Sequence, residues 1–100
     1  MPPGTQERIT VLIELLEKVR PIPHLYMVRH DPDLAVAFLC GVEQTAERLL
    51  GIGTRELRWQ VGENRGWKIG ARGPILHMRR EGLSDEKIVD ELIAIEIEVW

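Results

Sequence analysis

Apolar residues recur along the first fifth of the chain at the spacing of one helical face: Ile9, Leu12, Ile13, Leu16 and Val19, with Val11 and Leu15 widening it. Thr5 stands where a capping hydroxyl belongs, Glu7 falls in the first turn, and Pro21 ends the pattern. The segment from Pro21 to Val28 carries two prolines that favour extended backbone, so it reads as a packed linker whose apolar residues cover the core. Asp31-Pro32-Asp33 then starts a second helix. The first aspartate caps, proline suits the first helical position, and the second acid favours the positive end of the helix dipole. From Leu34 to Val42 the chain is apolar around most of a helical circumference, the pattern of a central helix touched on several sides, and Gly41 offers a neighbour room to come close. Glu43, Gln44, Glu47 and Arg48 bring the last turns to solvent, and Gly51 stops them.

Residues 54 to 72 support two readings. Thr54-Arg55-Glu56 followed by Leu57 and Val61 fits a short helix, whereas Leu57, Trp59 and Val61 alternate with polar residues as a strand would. In the second reading Gly62-Glu63-Asn64-Arg65-Gly66 turns a hairpin that pairs 57–61 with 67–69. Gly73-Pro74 opens a short helix through Arg80, closed by Gly82. Ser84 caps the last helix, with Asp85 and Glu86 in its first turn and Leu83 and Ile88 at the spacing of a hydrophobic staple. Its broad apolar face, Ile88 to Trp100, contains Glu96. Either Glu96 pairs with an arginine, or the chain ends as a strand from Ile93 with Glu96 and Glu98 pointing out; the start signals favour the helix. The expected fold is therefore mainly α: a small bundle of four to five helices around one core, one helical domain over residues 1–100. The alternative is α+β with a short hairpin at 57–69.

A chain of 100 residues can bury enough apolar surface to fold without metal or disulfide staples. With Cys40 the only cysteine, an internal disulfide and a cysteine-based zinc site are both ruled out, which fits a reducing compartment. No basic start followed by an apolar run and no apolar stretch of membrane-spanning length is present, so a cytoplasmic location without membrane contact is expected. The formal charge of −3 is unevenly spread. Residues 55–80 carry seven basic and two acidic groups, and residues 81–100 one basic and seven acidic. Opposite charges of that kind either form two faces of different sign or neutralise each other in the fold, and neutralisation is the commoner outcome.

Candidate chemistry is sparse. His24, His30 and His77 are too scattered for a local ligand pair, and the aspartates of His30-Asp31-Pro32-Asp33 already have a helix to start, so no metal or cofactor is expected. Glu43 and Glu47 share a helix face but read as exposed solubilising charges, and Cys40 reads as an inert core thiol. No nucleophile elbow, phosphate-binding glycine loop or dinucleotide fingerprint occurs, and no enzymatic role is expected. Arg58, Trp59, Arg65, Trp67 and Lys68, flanked by Arg55 and Arg72, interleave cations with aromatics as single-stranded nucleic-acid binders do; the same tryptophans equally suit core anchors under snorkelling arginines. Ile75 to Leu92 resembles the first two helices of a helix-turn-helix reader, but Ile93 to Trp100 offers only apolar residues and two glutamates where a recognition helix would follow.

Arg20-Pro21, Leu25-Tyr26 and Phe38-Leu39-Cys40-Gly41 together resemble a loose pattern of small, often acidic bacterial accessory proteins with an Arg-Pro, Tyr, Phe-Leu-x-Gly order. The matching residues run from Arg20 to Gly41 and depart from the pattern where Ile22-Pro23-His24 separates the proline from the Leu-Tyr pair. The resemblance implies a small accessory domain, with neutralisation of a toxin as one such role, and carries no catalytic residue across. The leading expectation is thus a bacterial or phage protein-binding domain that acts by association. Asp90, Glu91, Glu96 and Glu98 would steer it to a basic partner, and a homodimer through the C-terminal helix at Val99-Trp100 is a further expectation. The alternative is a single-stranded nucleic-acid binder using residues 55–72.

Overall fold

A computed structural model describes residues 4–27, 31–67 and 74–100. Six helical segments follow one another: α1 Thr5–Val19, α2 His24–Met27, α3 Pro32–Leu50, α4 Arg55–Asn64, α5 Ile75–Arg80 and α6 Asp85–Val99. Five of these are helices of more than one turn, α2 is a single turn, and no strand occurs among the described residues. The mainly α bundle around one core is therefore what forms. The hairpin at 57–69 is not: residues 57–64 lie in α4, Trp67 is outside any element, and residues 68 and 69 lie outside the described part of the chain.

The ends of the helices follow local chemistry closely. Asp31 caps α3, its Oδ1 accepting from the N–H groups of Asp33 at 2.8 Å and Leu34 at 3.2 Å, and Gly51 ends it at φ +68°. Ser84 Oγ accepts from Lys87 N at 3.3 Å at the start of α6, and Gly82 turns the chain there at φ +84°. The cap of α1 differs from expectation. Gly4, in the left-handed region, precedes the helix, and Thr5 is its first residue, buried and making no capping bond. The linker also differs: after Pro21 and Pro23 the backbone closes one helical turn, with Leu25 N donating to Ile22 O and Tyr26 N to Pro23 O. Proline just ahead of a turn pre-sets its first residue for the αR region, which the expectation of extended backbone overlooked. Ile22, Leu25 and Tyr26 are exposed there, so these apolar residues do not cover the core.

The central helix is α6, and not α3 as its longer apolar run suggested. α1, α3, α4 and α5 all pack against α6, and α2 packs against α3. Ile88, Val89, Leu92, Ile93, Ala94, Ile95, Glu96 and Val99 are buried, residues that lie around most of the circumference of α6. They meet Leu16 and Val19 of α1, Ala35 and Leu39 of α3, Val61 of α4 and Met78 of α5 in one cluster. α3 buries only Pro32, Ala35 and Leu39, leaving Val36, Cys40 and Leu49 exposed. Gly41 has nothing within 4 Å of the position a Cβ would take, so no neighbour among the described residues approaches it there. A run of apolar letters sets how much of a helix can be buried; which helix occupies the middle depends on how many partners the chain lays around it. The backbone spans 44 × 28 × 17 Å.

Candidate binding surface

α4 faces α6 through Arg58, Val61, Gly62 and Arg65, positions three and four apart on one side of a helix. Two of those four are arginines, and α6 meets them with carboxylates. Arg58 Nε and Nη2 donate to Glu96 Oε1 and Oε2 at 2.6 and 2.7 Å, a two-pronged contact, while its Nη1 lies 2.9 Å from Glu43 Oε1 on α3. The Glu96 side chain is 3% exposed and also accepts from Trp100 Nε1 at 2.8 Å. The buried glutamate in the apolar face is therefore paired with an arginine, and the helix runs on to Val99. Arg65 repeats the arrangement at the outer end: Nε and Nη2 donate to Glu91 at 3.1 and 2.8 Å, and Nη1 donates to Glu98. Trp67 Nε1 adds a bond to Glu91 Oε2 at 2.9 Å, and its ring meets His77 edge-on at 5.5 Å. On the α1 side, Arg20 grips Asp90 through Nε at 2.8 Å and Nη2 at 3.1 Å.

The acidic groups expected to steer a basic partner, Asp90, Glu91, Glu96 and Glu98, are thus each bound to an arginine within the chain. Of the residues expected to track a nucleic acid, Arg58, Arg65 and Trp67 are held by those same carboxylates. Trp59 projects outward from α4, 47% exposed, its Nε1 donating to Glu63 Oε1 at 2.7 Å one turn on. Lys68 and Arg72, like His30, lie outside the described residues. The structure therefore unites Arg58, Arg65, Trp67, Asp90 and Glu91 along the seam between α4, α1 and α6, and leaves Trp59 apart from it. Val99 is buried and Trp100 packs on the core, so the apolar end expected to pair across a two-fold axis faces into its own chain.

Glu43 and Glu47 do more than solubilise. Glu47 Oε2 accepts from Thr54 N at 2.6 Å and Thr54 Oγ1 at 3.3 Å, capping the start of α4 from the end of α3, while Glu43 reaches Arg58. Neither is recognisable as a partner from sequence, because Arg58 and Thr54 are brought to them only by the packing of α4 on α3 and α6. Cys40 is exposed and not a core thiol. Among the described residues no group of three or more histidine, cysteine, aspartate or glutamate side chains is arranged to hold a metal ion, and no helix is long and apolar enough to cross a membrane. An open groove of about 440 Å³ beside Glu17, Arg20, Pro21, Asp90 and Ile97 has its two central polar groups, Arg20 and Asp90, already bound to each other.

The ion pairs set the titration of the seam. The hydrogen bond from Arg20 holds the Asp90 carboxyl below its ordinary range, and that from Arg65, helped by Trp67, does the same for Glu91 against the opposing effect of burial. The three guanidiniums are pushed up: hydrogen bonds to Asp90 and Glu91 act on Arg20 and Arg65, while for Arg58 burial opposes and Glu96 and Glu43 prevail. Burial pushes the Glu43 carboxyl up despite Arg58. A carboxyl whose folded pKa is lowered stabilises the fold above its unfolded pKa, and that contribution is lost as pH falls through the folded value. Glu43 acts in the opposite sense, its contribution falling as pH rises. With two lowered carboxyls against one raised, the urea midpoint should drop as pH falls below about 4. In an Asp90→Asn/Glu91→Gln variant that acid limb should flatten; an unchanged slope would show that the seam does not carry it.

The most exposed large apolar side chains lie elsewhere, mostly on α1 to α3: Leu49 is 75% exposed, Leu25 68% and Val11 64%, with Leu15, Ile22 and Val36 around two-fifths. In comparisons with family models, curated proteins and solved structures, the chain finds no match.

Proposed function

We propose that this chain is a protein-binding domain that acts by association, with no chemistry of its own. The observation that carries the reading is the contrast between its two sides. Along the α6 seam the charges are spent on one another, whereas α1 and α2 present Val11, Leu15, Ile22 and Leu25 to solvent. Exposed apolar groups with charged neighbours such as Glu7, Arg8, Glu14 and Lys18 are the makings of a protein interface, an apolar centre with a polar rim. A phosphate backbone, by contrast, would have to displace carboxylates from Arg58 and Arg65 before binding them. The accessory role implied by the resemblance, with toxin neutralisation among its forms, fits an occluding partner of this kind.

The test is capture from a lysate of the source organism by the tagged chain, with and without nuclease, beside a Val11→Glu/Leu25→Glu variant. Both substituted side chains are exposed, so the fold should change by no more than about 0.5 kcal/mol per site. A stoichiometric protein that survives nuclease and is lost with the variant is the expected result. Recovery that vanishes with nuclease would overturn the reading.

A further inference from the structure

α3 is the longest helix among the described residues, and one face of it is exposed. Between Asp33 and Arg48 the exposed positions on it are Val36, Ala37, Cys40, Gly41, Gln44 and Thr45, none of them charged. The carboxylates of the same stretch, Glu43 and Glu47, are turned to Arg58 and Thr54. Gly41 is the second feature, since nothing among the described residues packs over it. Glycine in a helix interior is unfavourable, its φ is not positive here, and the space above it is open. A bare backbone at that point serves a close approach by something outside.

The charges on this face say what the approaching surface looks like. Asp33 and Arg48 bracket the uncharged stretch, and neither side chain has an ion-pair partner among the described residues. The pattern complements itself when reversed about the Cys40–Gly41 peptide: Asp33 falls opposite Arg48, Val36 opposite Thr45, and Cys40 opposite Gly41. Fifteen residues of helix put the two charges about 22 Å apart, a span that two helices crossing at about 20° keep in register at both ends. Leu49, the most exposed large apolar residue among those described, then falls level with Pro32, the first residue of the opposing helix.

We propose that the outward face of α3 is the interface of a homodimer, in which two copies of the helix cross antiparallel about a two-fold axis at Cys40–Gly41 and Asp33 of each copy pairs with Arg48 of the other. An interface of this kind is self-complementary and closes on itself. It adds to the association proposed above and does not depend on it, since it uses a different face. One helix pair buries less than a standard interface, so a dissociation constant of about 10–100 µM is expected.

Sedimentation equilibrium of the full chain over that concentration range tests it. The wild type should show a reversible monomer–dimer equilibrium. Gly41→Leu should weaken dimerisation by about tenfold or more through the lost close approach, while raising the thermal midpoint of the monomer by about 3–6 °C. That rise separates a lost interface from a damaged fold. Arg48→Asp should also leave monomer, and Asp33→Arg/Arg48→Asp should restore the dimer by reversing both pairs. A wild type that stays monomeric throughout overturns the proposal, as does a Gly41→Leu dimer of undiminished strength or a double reversal that restores nothing. Lysate capture lost in Val11→Glu/Leu25→Glu but kept in Gly41→Leu would leave the protein-binding reading standing whichever way the dimer falls.

Discussion

Replacing Arg58 by alanine is expected to destabilise the chain by about 3 kcal/mol, among the largest single-residue effects in the molecule. The reason is what remains behind. Glu96 is 2% exposed in the middle of α6, and without the guanidinium its carboxylate keeps only the Trp100 indole N–H as a strong donor. An ionised carboxylate stranded in an apolar face either stays charged at a large desolvation cost or takes up a proton, and both weaken the fold. Arg58 is itself 21% exposed, so water entering the space it leaves keeps the loss at the lower end of the range for broken buried pairs. Arg58→Met/Glu96→Leu should recover more than half of the loss, since it removes the stranded charge along with its partner, while leaving Trp100 Nε1 and Glu43 with one contact fewer. Urea denaturation of the two variants beside the wild type measures both numbers. If Arg58→Ala costs less than about 0.5 kcal/mol, the pair is an ornament of the surface, and the account given of the seam fails.

Ile93→Ala should cost about 2–5 kcal/mol, the range for deleting a large aliphatic side chain from a packed core. Ile93 has no exposed surface and sits midway along the helix against which four others pack, so the space left by its missing carbons is bordered by several elements that cannot all close in. Leu49→Ala makes the contrast. That side chain is three-quarters exposed, and its loss should move stability by less than about 0.5 kcal/mol. A midpoint shift for Ile93→Ala no larger than for Leu49→Ala would contradict the placement of α6 at the centre.

Most of the fold could be read from periodicity and caps, because those signals are local. Asp31-Pro32-Asp33 and Gly51 bound α3 as their chemistry requires, and Ser84 starts α6. What periodicity missed was where polar residues belong to an inward face. Arg58 and Arg65 lie on the buried side of α4 with Val61 and Gly62, so the helical spacing there is hidden behind two charges, and Leu57, Trp59 and Val61 imitate a strand. The matching signal was present at the other end: Glu96 within an apolar face demanded a cation, though nothing in the sequence chose among ten arginines. Centrality was also illegible. Leu34 to Val42 is an unbroken apolar run whereas Ile88 to Trp100 is interrupted by four acids, and only tertiary assembly decides that the second is surrounded while Val36 and Cys40 of the first face water. The candidate site followed the same division. The sequence marks Arg58, Arg65 and Trp67 for one candidate surface and Asp90 and Glu91 for another, and their engagement with each other could not be seen without the fold.

That the helix at the centre of the bundle follows, in chain order, the four that pack against it bears on how the protein comes into being. α1, α3, α4 and α5 all pack against residues 85–99, so until those residues have left the ribosome the earlier helices have no common surface to collapse onto. The nascent chain must carry the apolar faces of α1 and α3 uncovered until α6 emerges, a state prone to non-native contacts and dependent on dilution or chaperones. Folding of these helices is therefore expected to be a concerted event that waits for α6 to emerge, and a ribosome stalled short of α6 should display helices that proteases cut freely.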